Sequence, residues 1–122
     1  MLMMLLWMLN NAWPSLIWHL YDFYLRPGGS YFGAKEANEP LHVQYSYDNH
    51  SIYVVNSFYQ EFKNLRVTAK VFNLDMTEKY SRTETVDVAA DGKVNAFTVK
   101  FPENLSKTHF LLLTLNDATG KL

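Results

Sequence analysis

The side chains best suited to chemistry crowd the start of the chain, where the first eighteen residues hold all three tryptophans, Trp7, Trp13 and Trp18. They belong to the stretch Trp7-Met8-Leu9-Asn10-Asn11-Ala12-Trp13-Pro14-Ser15 and to the aromatic run that continues to Gly29. Aromatic faces either pack in a core or stack on a sugar ring, so their abundance alone does not choose between the two. Histidine chemistry is poorly supported. His19, His42, His50 and His109 show no i,i+4 pairing or ligand-like spacing, and read as surface or packing residues rather than metal ligands. The chain has no cysteine, which removes disulfides and thiolate metal sites and leaves the redox compartment open.

The elements that must position these residues are bounded by size. A chain of 122 residues holds one core comfortably and two complete domains poorly. Composition is globular, with 48% hydrophobic, 19% charged and 16% aromatic residues. Eleven Lys+Arg against twelve Asp+Glu give a net charge of -1. No basic stripe is present, which argues against a nucleic-acid partner. Met1 to Leu9 is an apolar run of nine residues, well short of the about 20 that span a bilayer. It also lacks the charged n-region and cleavage site of a signal peptide, so a membrane partner is not expected and the compartment stays open.

Charge divides the chain, since five of its 23 charged residues precede Leu41: Asp22, Arg26, Lys35, Glu36 and Glu39. The first part therefore reads as buried on several sides and the second as a domain with its own wet face. Leu2 to Leu9 suits a strand buried on both faces. Pro14 and Pro27 bracket short helical turns. Ser30 is expected to cap a helix through Ala37 that ends before Pro40. Such a strand, turns and helix make one β/α unit, which cannot fold alone. A prefix this rich in large aromatics reads as part of a larger body whose apolar surface something else covers.

From Leu41 the period becomes two. Leu41, Val43, Tyr45 and Tyr47 alternate with polar residues, and Asp48-Asn49-His50 turns the chain into Ser51 to Asn56. Leu65, Val67, Ala69 and Val71 form the next apolar face, and polar Lys79 to Val88 reads as an edge strand. Asp91-Gly92 carries hairpin chemistry. Asn95, Phe97, Val99 and Phe101 are expected on one face of the following strand, and Thr108 to Asn116 is the last. Six strands without helices approach the about seven of an immunoglobulin-like sandwich. A final strand is expected where the chain stops at Leu122, so both ends read as cut.

Trp7, Leu9, Asn10, Trp13, Pro14, Trp18, Asp22, Tyr24, Pro27 and Tyr31 reproduce a pattern that resembles the end of the catalytic barrel in glycoside hydrolase family 2. The branch is that of the exo-β-glucosaminidases and β-mannosidases. Gly28 to Lys35 and Glu39 to Tyr47 look like the exo-β-glucosaminidase branch in particular. The match is specific from Trp7 to Asn56 and rests on pattern alone beyond. The resemblance implies a mainly β chain: residues 1–40 as the last β/α unit of a TIM barrel, incomplete, and 41–122 as an immunoglobulin-like β-sandwich without its final strand. It places Trp7 at the barrel rim that holds the active site, as a wall of the terminal-sugar subsite. Asn10 and Asn11 either reach a sugar hydroxyl or close the strand-to-helix turn. Trp13 and Trp18 are expected to pack between barrel and sandwich. No cofactor is implied. The expected partners are a β-linked amino-sugar or mannoside substrate in the parent enzyme and the missing barrel itself.

Retaining glycosidases need two carboxyl groups about 5–5.5 Å apart. The family's two glutamates lie upstream of any residue matched here. Glu36, Glu39, Glu61, Glu78, Glu84 and Glu103 read as solvated charges, with no reason to converge in an apolar pocket. The expected reading is a segment of an exo-acting β-glycosidase that is inactive alone. The alternative is a free-standing immunoglobulin-like interaction or carbohydrate-binding module. Asn49-His50-Ser51 and Asn104-Leu105-Ser106 fit the glycosylation pattern, whose chance matches are common.

Overall fold

The strand from Phe62 to Asn73 shows how the second half of the chain folds. Its alternate residues Leu65, Val67, Ala69 and Val71 are at most 1% exposed, while Arg66, Thr68 and Lys70 take the other face, as a period of two demands. In this computed structural model, which describes residues 8–15 and 19–120, the chain divides into two compact units, Met1–Glu39 and Pro40–Leu122.

The second unit contains β1 (Leu41–Ser46), β2 (Ser51–Asn56), β3 (Phe62–Asn73), β4 (Glu78–Val88), β5 (Gly92–Thr98) and β6 (His109–Asn116). They form two three-stranded antiparallel sheets, ordered β1-β2-β5 and β4-β3-β6. Ile52 and Val54 of β2, Leu41 of β1 and Phe97 of β5 join the β3 residues and Val88 of β4 in one buried cluster. Each buried Val, Leu, Ile or Phe of this cluster contributes about 1.5–3 kcal/mol by leaving water. The unit is thus mainly β, with two small antiparallel sheets consistent with an immunoglobulin-like β-sandwich.

Three local expectations need correction here. Asp91-Gly92 does not close a hairpin, because β5 pairs with β2 rather than with β4; Asp91, at φ 46°, instead carries the chain from one sheet to the other. Tyr47 is not part of a half-buried strand: β1 ends at Ser46 and Tyr47 is 87% exposed in the turn. In β5 the register steps from Ile52↔Phe97 to Tyr53↔Asn95, leaving Ala96 as an extra residue. A bulge of this kind shifts the side-chain phase. Val94 therefore shares the inward face with Phe97, and Asn95 is exposed.

In the first unit, Tyr21 bridges to both Asn10 and Pro27, and the helix α1 covers Gly29–Ala37. Leu2 to Trp7 lie outside the described residues. Met8 and Leu9, expected to end a strand buried on both faces, are 48% and 59% exposed. Between Pro14 and Pro27 the described chain makes a turn rather than helical turns: Leu25 N–H donates to the Asp22 carbonyl at 3.0 Å. Nor does Ser30 cap α1. Gly28 is the capping residue, and the Ser30 hydroxyl, two residues further in, donates to the His19 carbonyl.

Candidate functional site

Asn10 and Asn11 sit where the chain leaves the bridge to Tyr21, and the two side chains have different fates. Asn11 is 7% exposed, and its Nδ2 donates to the Ser15 carbonyl at 2.7 Å, closing the loop between them. Asn10 is exposed, and its Nδ2 donates to the Asn11 carbonyl at a long 3.3 Å. Asn11 is thus spent on the backbone, and Asn10 is the one of the pair that presents its amide outward. Trp7 and Trp18 lie outside the described residues, and Trp13 is 70% exposed.

Beside this loop is a cavity of about 380 Å³ whose lining includes Asn11, His19, Tyr21, Asp22 and Arg26. Its one carboxylate, Asp22, is held by four donors. Backbone N–H groups of Arg26 and Tyr24 reach Oδ1 at 2.9 Å, and the Arg26 guanidinium reaches Oδ2 at 2.7 Å. The Arg26 backbone donor, followed by its guanidinium, holds the Asp22 carboxyl below the ordinary carboxylate range. A carboxylate fixed as an anion does not serve as a general acid. His19 is buried at 7% exposure, and neither ring nitrogen has a hydrogen-bond partner among the described residues.

None of the six glutamates lines this cavity. Glu61 pairs with Lys63 at 3.0 Å, Glu78 with Lys70 at 3.0 Å and Glu84 with Arg82 at 2.7 Å. Glu36, Glu39 and Glu103 are exposed. Among the described residues, no cluster of three His, Cys, Asp or Glu is arranged to hold a metal ion. No helix among them is long and apolar enough to cross a membrane.

A second cavity, of about 580 Å³, lies in the sandwich unit and is lined by residues including Tyr45, His50, Phe101, His109, Leu111 and Leu113. The sequence pattern did not single these out, because they come from four separate segments that only the folded topology gathers.

The model of the Mannosidase Ig/CBM-like domain matches residues 48–122. The chain belongs to that family. It is also 49% identical over 117 residues to an exo-β-D-glucosaminidase of Amycolatopsis orientalis, covering 94% of this chain and 11% of that protein. An exo-β-D-glucosaminidase of Streptomyces avermitilis is 46% identical over 119 residues, covering 94% of this chain and 13% of the relative. The crystal structure of the Amycolatopsis orientalis exo-chitosanase CsxA superposes with a TM-score of 0.83 at 49% identity, covering 94% of this chain and 14% of that one. This Mannosidase Ig/CBM-like chain therefore spans little more than a tenth of the length of the curated relatives it matches.

Proposed function

We propose that the chain is a segment of a retaining exo-β-D-glucosaminidase of glycoside hydrolase family 2, and that it is inactive by itself. Residues 1–40 contribute the last β/α unit of the catalytic barrel, and 41–122 the adjoining immunoglobulin-like domain. The observation that carries this reading is the 49% identity to an exo-β-D-glucosaminidase along 94% of the chain.

Two physical features support it. The first unit leaves Met8, Leu9, Trp13, Tyr24, Leu25 and Phe32 between 48% and 70% exposed, and α1 has no buried residue. An apolar surface of this kind belongs against another body, here the rest of the barrel. Secondly, hydrolysis with retention needs a paired acid/base and nucleophile, and neither of the two cavities is lined by more than one carboxylate. In the assembled enzyme, Trp7 walls the terminal-sugar subsite and Asn10 reaches a sugar hydroxyl. Asn11, held on Ser15, orients their loop.

Incubating the 122-residue chain with an aryl β-D-glucosaminide tests the claim of inactivity. No release of the aryl group above buffer is expected; turnover would overturn it. Sequencing the DNA upstream of Met1 tests the segment itself, which requires an in-frame barrel carrying the two missing glutamates.

A further inference from the structure

Two charged side chains of β4 stand on the core side of their sheet. The register sets Arg82 opposite Ala69 and Glu84 opposite Val67, and residues directly opposite in an antiparallel pair share a face. Ala69 and Val67 are 0% exposed, whereas the Arg82 and Glu84 side chains are each 42% exposed. These positions therefore lie at the flank of the core. Further along the same face, toward the crossover into β5, Val86 and Val88 pack in the core. The change from valine to charge marks where closure by burial stops.

Arg82 reaches from this flank to the other sheet. Its guanidinium carbon lies 4.8 Å from the centre of the Phe97 ring in β5, inside the about 6 Å over which a ring face attracts a cation. Its Nε and Nη2 both donate to Glu84 Oε1, at 3.0 and 2.7 Å. One planar group thus serves two partners, its edge bonding the carboxylate while its face is left for the ring. Phe97 is 6% exposed under this cover.

We propose that Arg82 is a latch between the two sheets, that Glu84 sets it in place, and that its release opens this flank over Phe97 while the crossover stays shut. An ion pair between half-exposed side chains contributes little by itself; what Glu84 supplies is orientation. Without it, the long side chain is free to carry its charged head back to water. The opening stays local because the Asn56 amide holds the Ala89 carbonyl at 2.9 Å, which ties the crossover to β2. Local openings of this kind occur well below the cost of global unfolding. The latch rests on strands inside residues 51–98 and does not depend on the glycosidase reading.

NMR of the parent chain and of Glu84→Ala tests it. In the parent, the Phe97 ring should shift the Arg82 side-chain protons away from their free positions. Glu84→Ala leaves both Arg82 and Phe97 in place, yet is expected to lose about half or more of that shift. A soluble paramagnetic probe should then relax the Phe97 ring protons faster than in the parent, with the Val88 methyl protons unchanged. An unshifted Arg82 in the parent overturns the latch, and an unchanged shift in the variant overturns the role of Glu84. Equal gains at Phe97 and Val88 would mean general loosening and also overturn it. Should Glu84→Ala misfold, about 1 M salt screens the same pair in the parent. It should move the Arg82 signals toward their free positions, and no movement overturns the proposal.

Discussion

The side-chain amide of Asn56 donates to the Ala89 carbonyl at 2.9 Å, tying the end of β2 in one sheet to the segment that follows β4 in the other. The same Nδ2 reaches the Gln60 carbonyl at 2.7 Å, and Oδ1 accepts the Phe58 N–H at 2.9 Å. Asn56 is 1% exposed. All three bonds are therefore made away from water, where leaving one unmade is costly.

Asn56→Ala is accordingly expected to cost about 2–4 kcal/mol, because it strands buried backbone groups as well as removing three bonds. Urea denaturation checks this through a lower midpoint at an unchanged slope. Asn56→Asp should be at least as damaging, since it replaces the donor that two carbonyls require with an acceptor. An Asn56→Ala protein with the parent midpoint would show that the tie between sheets contributes nothing.

Burial separates two leucines that look alike in sequence. Leu65 is 1% exposed and Leu112 is 50% exposed. Truncating Leu65 to Ala opens a cavity between packed sheets, at about 2–5 kcal/mol. Leu112→Ala removes a side chain already half in water and should cost less than about 1 kcal/mol. Thermal or urea melts of the two variants, taken in dilute solution, give the comparison directly; equal losses would contradict this difference in burial.

Much of this architecture is legible in the sequence because β3 alternates without interruption, and its inward set Leu65, Val67, Ala69 and Val71 is fully buried. The polar composition of β4 likewise marks it as an edge. What alternation does not reveal is a change of phase: Ala96 bulges, so Asn95 and Phe97 part company although they are two residues apart. Strand partners are also hidden, because the choice of β2 rather than β4 for β5 is made by the whole core. In the candidate site, the Asn10-Asn11 motif is visible as a motif, but only the fold shows that Asn11 is committed to Ser15. Asn56 was missed, yet it carried a signal. It shares the inward phase of Ile52 and Val54, and a polar residue there must find partners. Arg82, whose guanidinium lies 4.8 Å over the Phe97 ring, gave no such signal, since the two strands belong to different sheets.

Acid should weaken the fold in a defined window. The carboxyls of Asp22, Asp48 and Asp75 are held below the ordinary 3.8. The leading causes are the Arg26 backbone N–H for Asp22, the Ser46 hydroxyl for Asp48 and the Thr77 side chain for Asp75. A carboxyl whose folded value is lower than its unfolded one stabilises the fold fully above the unfolded value. It loses that contribution as pH falls through the folded value. These three groups should therefore leave the urea midpoint unaffected near neutrality and lower it as pH drops below the ordinary carboxylate range. Asp48 and Asp75 are exposed and Asp22 partly so, so each effect is small and screened by salt. Carboxyl NMR titration separates the causes at Asp22. In Arg26→Ala the guanidinium is gone but the backbone N–H groups of residues 24 and 26 remain, so the Asp22 midpoint should rise only part of the way. A return to the ordinary value in that variant would mean that the ion pair, not the backbone, holds the carboxylate.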